Sequence, residues 1–500
     1  MTLAEMVPAG LALGPVPNLP VSGLQYDSRK IQPGEVFFAF PGENVDGHEF
    51  IAKALASGAA AVVSEREAPA EQRGVWVRVR HGREALAEAA LRFYRYPDRR
   101  LALTGVTGTN GKTTTVFLID AILEAAGLRT ARLGTIEYKI AERRAPAVNT
   151  TPESLDLVRL LAELEQQKGT HATFEVSSHA LALKRIHGFQ FHTVVFTNLS
   201  RDHLDFHQTM ENYAQAKKLL FEGAGGPAPR FAVINEDDPM GRKMLAGNNA
   251  EVLSYGLREG AAVQGKVIAM GPRGLRFEVK TPSGEISIES KLSGEFNVRN
   301  ILAAISTALS YGIDPQLIRG AIAACPPVPG RFETIDEGQP FGVIVDYAHT
   351  DDALKNLIEA ARLMLAQQER PGRVITLFGC GGDRDRTKRP VMGEIAGRMS
   401  DLVILTSDNP RTEEPLNIMN DILVGLRRVD TPFLAESDRR QAIATALREA
   451  EENDIVLIAG KGHEAYQIVG RVSHPFDDRQ VAREVLQQLG YEANTAPQTS

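Results

Sequence analysis

Cysteine is nearly absent: Cys325 and Cys380 are the only two in 500 residues. That excludes a disulfide framework and a Cys-rich zinc site, since both need more thiols. An excess of basic charge is missing too. The net charge is −7, so the chain as a whole has no electrostatic reason to bind nucleic acid. No apolar run reaches membrane-spanning length, and the first residues carry repeated prolines without a basic leader region. No solenoid-length period recurs. What is present is an ordinary globular composition, 43% hydrophobic and 24% charged, which predicts a soluble cytoplasmic chain. Its length exceeds one core; at roughly 150 residues per domain, about three are expected.

Punctuation divides the chain into 1–97, 98–328 and 329–492, with a small, polar tail at 493–500 expected to be disordered. The first segment predicts strands over 36–40 and 60–63 and a helix over 49–57. The second predicts a strand over 101–106 and a helix over 113–126 stopped by Gly127. Further strands follow over 172–176, 193–197 and 231–234, and a helix over 300–311. Beyond the rigid linker Pro326-Pro327-Val328-Pro329-Gly330, strands recur over 343–345, 374–378, 402–405 and 455–459. Strands alternating with helices predict an α/β protein with mostly parallel sheets covered on both faces, the last unit doubly wound.

The most informative stretch is Gly108-Thr109-Asn110-Gly111-Lys112-Thr113-Thr114, set between a strand and a helix. The glycines let backbone N–H groups approach a polyphosphate, Lys112 can neutralise its terminal oxygens, and a threonine hydroxyl can ligate Mg²⁺. The usual spacing would place glycine at 106, where this chain has Val106. A surface lysine in a glycine-rich turn is the bland alternative, and its placement before a helix disfavours it.

This loop resembles the nucleotide loop of the Mur ligase family, ATP-dependent amide-forming ligases that include folylpolyglutamate synthetases. The resemblance covers nearly the whole chain. It implies three domains: an N-terminal one for a UDP-sugar, a central P-loop mononucleotide-binding ATPase and a C-terminal Rossmann-like domain for an amino acid. It also implies ATP as co-substrate, two Mg²⁺ ions and small-molecule partners only, with no nucleic acid and no membrane insertion; a monomer is expected. Glu175 in Phe174-Glu175-Val176-Ser177-Ser178-His179 and His203 in Ser200-Arg201-Asp202-His203-Leu204-Asp205 match its magnesium-binding positions. Lys217 in Tyr213-Ala214-Gln215-Ala216-Lys217 matches a lysine carbamylated in related ligases, whose carbamate oxygens can hold a second Mg²⁺. Lys112, Lys217 and His203 are thereby the catalytic candidates, with Thr113 a further metal ligand.

The same resemblance assigns Asn297, Arg331, Asp346 and His349 to ATP as the third domain closes. Relatives usually follow Asp-Tyr-Ala-His with a residue and then proline, where this chain has Thr350 and Asp351. Asn149, Thr150, Thr151, Ser177, Leu183 and Arg185 match contacts to a UDP-muramoyl-dipeptide, with Leu183 standing where close relatives often have glutamine. Tyr26, Ser28, Glu43, Asn44 and Val45 match the uridine-diphosphate end.

In Asp408-Asn409-Pro410-Arg411, directly after a predicted strand, the arginine can pair bidentately with a carboxylate while Asp408 and Asn409 hold an ammonium or amide hydrogen. Within the family this motif, with Arg384, Gly460 and Glu464, implies meso-diaminopimelate as the added amino acid. Lysine ends in an ammonium without a carboxylate and would leave Arg411 unpartnered. The expected chemistry is phosphorylation of a carboxylate to an acyl phosphate, then attack by the amine, for peptidoglycan synthesis. Rival readings are the L-lysine-adding sister ligase, folylpolyglutamate synthetase, and a non-catalytic nucleotide-binding regulator, which needs only the phosphate loop.

Overall fold

The structure, a computed structural model, describes residues 1–42, 45–69, 75–245, 247, 249–271, 274–366, 368 and 370–492. The strands form three principal sheets, one per segment, in a three-domain α/β fold. The first is a four-stranded parallel sheet of Gly23–Gln25, Glu35–Ala39, Ala61–Ser64 and Trp76–Arg78 in chain order. The helix Gly82–Phe93 presents Ala85, Leu86, Ala89 and Ala90 to a core shared with the second segment. Small side chains on that stripe allow close approach to the helix Ser154–Gln166, so the two segments share one core rather than touching at their rims.

Among the described residues the central sheet has eleven strands. Its parallel heart runs through Phe231–Asn235, Thr193–Phe196, Ala102–Thr107, His171–Glu175 and Thr130–Leu133. Both margins depart from the mostly parallel expectation. One adds the antiparallel pair Glu137–Ile140 and Arg143–Pro146; the other ends in an antiparallel meander of Val263–Gly271, Gly274–Thr281 and Gly284–Ser290. The meander alternates buried and exposed residues along Gly274–Thr281, the period-two pattern of a strand with one wet face. The predicted helix over 300–311 begins earlier, at Glu295, after Gly294 at φ 88°.

The third sheet orders Glu333–Thr334, Gly342–Asp346, Ile455–Ala459, Val374–Phe378, Leu402–Leu405 and Phe433–Ala435. All neighbours after the first are parallel, and separate apolar cores cover the two faces. Inserting the late strand Ile455–Ala459 beside Gly342–Asp346 gathers four post-strand loops at one edge: 347–350, 379–384, 406–411 and 460–464. Ligands of open α/β sheets bind at that edge. The tail at 493–500 lies outside the described residues.

Candidate active site

The strand Ala102–Thr107 ends where the phosphate loop begins, and the helix Lys112–Ala125 follows it. Val106 lies inside that strand, opposite Glu175 and Val195 and fully buried, so the turn starts two residues later than the usual spacing supposes. Gly108 has φ 148°, and a Cβ there would lie 1.8 Å from Thr197 Oγ1. Gly111 has φ 84°, and its Cβ would lie 2.3 Å from Asn300 Oδ1. Both positions therefore require glycine on conformation and on space.

A cavity of about 630 Å³ opens over this loop, lined by the second and third segments together. Lys112 Nζ donates to the carbonyls of Gly108 and Thr109 at 2.9 and 2.7 Å. Burial lowers its pKa, with Glu175 and Asp202 opposing. Thr113 Oγ1 donates to Glu175 Oε1 at 3.0 Å and accepts from Arg331 Nη2 at 3.0 Å. Thr109 and Asn110 are tied to the following strand's loop: the hydroxyl of Thr109 donates to Ser200 O at 3.2 Å, and the backbone N–H of Asn110 to Asn198 Oδ1 at 2.9 Å. Thr114 is buried in the first turn of the helix and also lines the cavity.

Glu175 ends its strand and collects donors from Thr113, the Thr135 N–H at 2.8 Å and the Thr135 hydroxyl at 3.2 Å. His203, at φ 53°, faces the cavity beside Asp202. Desolvation holds its imidazole at about 3, with Asp202 pulling upward and His179, Lys112 and Lys217 downward, which favours the neutral ring. Lys217 is buried, and its Nζ donates to Gly108 O at 2.8 Å.

From the third segment come Arg331, Asp346 and His349. The Asp346 carboxylate accepts the Phe332 and Ala348 N–H groups at 2.7 and 2.8 Å, and burial raises its pKa. His349 Nδ1 sits 2.8 Å from Tyr347 O. The Thr350-Asp351 departure becomes intelligible here. Thr350 caps the helix Asp351–Leu365, accepting from Ala353 N at 3.2 Å, which makes 351 the first helical residue. Proline is tolerated there because its missing N–H has no helical partner, and aspartate is favoured there by the helix dipole.

Asn297 stands one contact back from the cavity, donating to Ser293 O at 2.7 Å and accepting from Asn300 Nδ2 at 2.9 Å. Its neighbour one turn on, Asn300, lines the cavity and packs on Gly111. The sequence reading also missed Asp352, which accepts from Asn110 Nδ2 at 2.8 Å across the segment boundary.

Of the muramoyl-dipeptide set, Thr150, Thr151, Ser177 and Arg185 converge beside Glu175. Thr151 Oγ1 donates to Glu175 O at 2.8 Å, Ser177 N donates to Thr151 Oγ1 at 3.0 Å, and Arg185 Nη1 donates to Thr151 O at 3.2 Å. Asn149 is exposed, its N–H donating to Tyr138 at 2.9 Å. Leu183 merely ends the short helix Ser178–Ala182. Tyr26, Ser28 and Val45 lie outside this cavity; the Tyr26 hydroxyl donates to Asp156. Glu43 and Asn44 fall outside the described residues.

The amino-acid set occupies the third sheet's loops. Asp408, Asn409 and Pro410 are buried, and Asn409 Nδ2 donates to Glu464 Oε2 at 2.9 Å. Arg411, at φ 51°, donates from Nη1 to Gly382 O at 2.7 Å. Arg384 is exposed on the adjoining loop, and Gly460 has φ 117° with Asp408 against it. Cys380 is buried with its thiol pushed up to about 12 by desolvation, which leaves it inert as a nucleophile.

Three family models match the chain: the Mur ligase family catalytic domain over 20–94, the Mur ligase middle domain over 106–308, and the Mur ligase glutamate ligase domain over 330–462. The chain belongs to the Mur ligase family. A relative from Solibacter usitatus, a UDP-N-acetylmuramoyl-L-alanyl-D-glutamate--2,6-diaminopimelate ligase, is 57% identical over 471 residues, 94% of each chain. One of the same description from Geobacillus thermodenitrificans is 46% identical, covering 94% of this chain and 96% of its own. A solved structure so described shares 34% identity at TM-score 0.69, covering 98% of this Mur ligase and 99% of that chain. Among the described residues, no helix of this Mur ligase is long and apolar enough to cross a membrane.

Proposed function

We propose that this Mur ligase joins meso-diaminopimelate to UDP-N-acetylmuramoyl-L-alanyl-D-glutamate, converting ATP to ADP and phosphate, in peptidoglycan synthesis. The observation that carries the amino-acid choice is the paired chemistry gathered on the adjoining loops of the third sheet, where Arg411 and Arg384 both approach Gly381. Arg411 and Arg384 offer guanidinium groups for a carboxylate, while Asp408 and Glu464 offer carboxylates for an ammonium. Diaminopimelate carries both groups at the end distal to the reacting amine; lysine carries one.

The γ-phosphoryl group passes from ATP to a carboxylate of the dipeptide, giving an acyl phosphate and ADP. The amine then attacks the acyl carbon, the acyl C–O bond breaks with its electron pair going to the departing phosphate, and the nitrogen loses a proton as the amide forms. Lys112 and the loop N–H groups hold the polyphosphate, and Arg331, joined to Thr113, brings the third domain onto it. Asp346 and His349 close the nucleotide side from that domain. Thr150, Thr151, Ser177 and Arg185 orient the acceptor beside the same loop, so most of the rate comes from positioning and charge neutralisation.

Magnesium fits the oxygen-rich donor set. Among the described residues no cluster of three or more His, Cys, Asp or Glu side chains is arranged around a metal position. Mg²⁺ does not demand one, because phosphates and waters complete its shell around one or two carboxylates. Thr113, Glu175, His203 and Lys217 as a carbamate would hold two ions, whose charge would offset that of the phosphates. The ATP requirement and two buried free cysteines accord with a reducing, cytoplasmic compartment.

Purified protein should release phosphate only when ATP, Mg²⁺, the UDP-muramoyl-dipeptide and diaminopimelate are all present. Equal turnover with L-lysine refutes the amino-acid assignment. No ADP formation with any muramoyl substrate refutes the ligase reading.

A further inference from the structure

Beneath the four loops of the third sheet lies a cation outside the set of assigned substrate contacts. The Lys461 side chain is 0% exposed, and its Nζ reaches Asp408 Oδ1 at 3.5 Å. It also donates to Asn409 Oδ1 at 3.1 Å and to Glu464 Oε2 at 3.2 Å. Asn409 is thereby fixed in one orientation. Its oxygen is taken by Lys461 and by the Ile468 N–H at 3.0 Å, and its nitrogen faces Glu464 at 2.9 Å. Asp408 Oδ1 is buried without a hydrogen-bond partner among the described residues, so Lys461 is its close ionic neighbour. On the other side, Arg439 is committed to Asp478 and to the carbonyls of Ser407 and Ala459.

We propose that Lys461 is a positioning residue that sets amino-acid selectivity, by holding Asn409 and Glu464 in place and cancelling one of the pocket's two carboxylates. This rests on the reading that the pocket takes the second head of diaminopimelate. With Lys461 present, two acids face one internal cation, and Arg411 and Arg384 remain for a ligand carboxylate. The pocket then suits a head carrying both charges. Without Lys461 the floor gains one negative charge, and a lone ammonium, as in lysine, becomes the better match.

The test compares kcat/KM for diaminopimelate and L-lysine in wild type, Lys461→Gln, Glu464→Gln and the double variant. Lys461→Gln should lower the diaminopimelate-to-lysine ratio about tenfold while leaving the ATP KM within about twofold. Glu464→Gln should raise the ratio, and the double variant, its charge restored, should return to within about threefold of wild type. A purely structural lysine would depress both amino acids alike, with no recovery in the double variant. An unchanged ratio in Lys461→Gln overturns the proposal. If that variant does not fold, a falling ratio in Glu464→Gln overturns it and a rising one supports it. Wild-type turnover with neither amino acid refutes the functional reading itself and this proposal with it.

Discussion

Lys217 gives the sharpest separation of catalysis from stability. The residue is 1% exposed, its amine bonded to one neutral carbonyl and 4.3 Å from the Tyr213 ring centre. Burial first and the charge of Lys112 second hold its pKa well below that of an ordinary lysine, against the pull of Asp202. An unpaired ammonium in such a place is costly, which shifts the balance toward the neutral amine. The neutral form is the one that adds CO₂ with loss of a proton, and under the proposed function the carbamate would put a negative charge opposite Lys112 and beside a metal. Lys217→Met keeps the shape and removes the nitrogen. The lost bond to Gly108 costs about 1 kcal/mol. Relief from burying the amine offsets it, so stability should stay within about 2 kcal/mol of the parent. Removing a group that stabilises developing charge should lower kcat by about 10² to 10³, or roughly 2.7–4 kcal/mol. Saturated phosphate release and urea unfolding measure the two halves separately. Decarbonated buffer should also silence the wild type until bicarbonate is returned. A Lys217→Met enzyme keeping more than about a third of its kcat refutes the reasoning.

Other perturbations follow from the same geometry. Arg411→Ala should raise the diaminopimelate KM by at least about tenfold, with the ATP KM nearly unchanged, in steady-state phosphate release. Arg439 and Asp478 pair at 2.7 Å with both side chains fully buried. Arg439→Met, which strands the aspartate, should cost about 3–5 kcal/mol in urea unfolding of the third domain's signal. The Arg389 guanidinium beside Glu413 holds that carboxyl at about 2 against an ordinary 4.5. A depressed acid contributes stability that is complete above pH about 4.5 and disappears as pH falls toward 2. Glu413→Gln should therefore flatten acid unfolding within that window, and an unaltered acid limb would remove Glu413 from it.

The centre of this molecule was legible in its sequence, and its margins were not. Gly108 to Thr114 could be read because strand, turn and helix are local, and each glycine answers a local steric demand. The meander of Val263–Gly271, Gly274–Thr281 and Gly284–Ser290 carries a period-two pattern, yet it ends a sheet whose central strands are parallel and buried on both faces. A reading tuned to the centre passes over the edge. Asn297 and Asn300 share a helix and differ by less than one turn. The approach of Asn300 to Gly111 puts that amide over the phosphate loop, with Asn297 bonded behind it at 2.9 Å. Asp352 and Lys461 gain meaning from partners 242 and 52 residues away, and no local pattern marks such pairs.

The third domain ties two pockets together through one ring. Tyr347 lines the nucleotide cavity, and the Arg331 guanidinium lies 4.5 Å from its centre while bonding Thr113 of the phosphate loop. Its hydroxyl, 3.4 Å from Glu464 Oε1, reaches the carboxylate that Lys461 and Asn409 also hold. A ligase of this chemistry must keep its acyl phosphate from water until the amine is seated. Contacts running from Thr113 through Arg331 and Tyr347 to Glu464 mean that the third domain cannot draw back from the phosphates without carrying the amino-acid pocket with it. Under the proposed function, one movement of that domain would therefore both complete the nucleotide site and bring the amine, with no separate moving part.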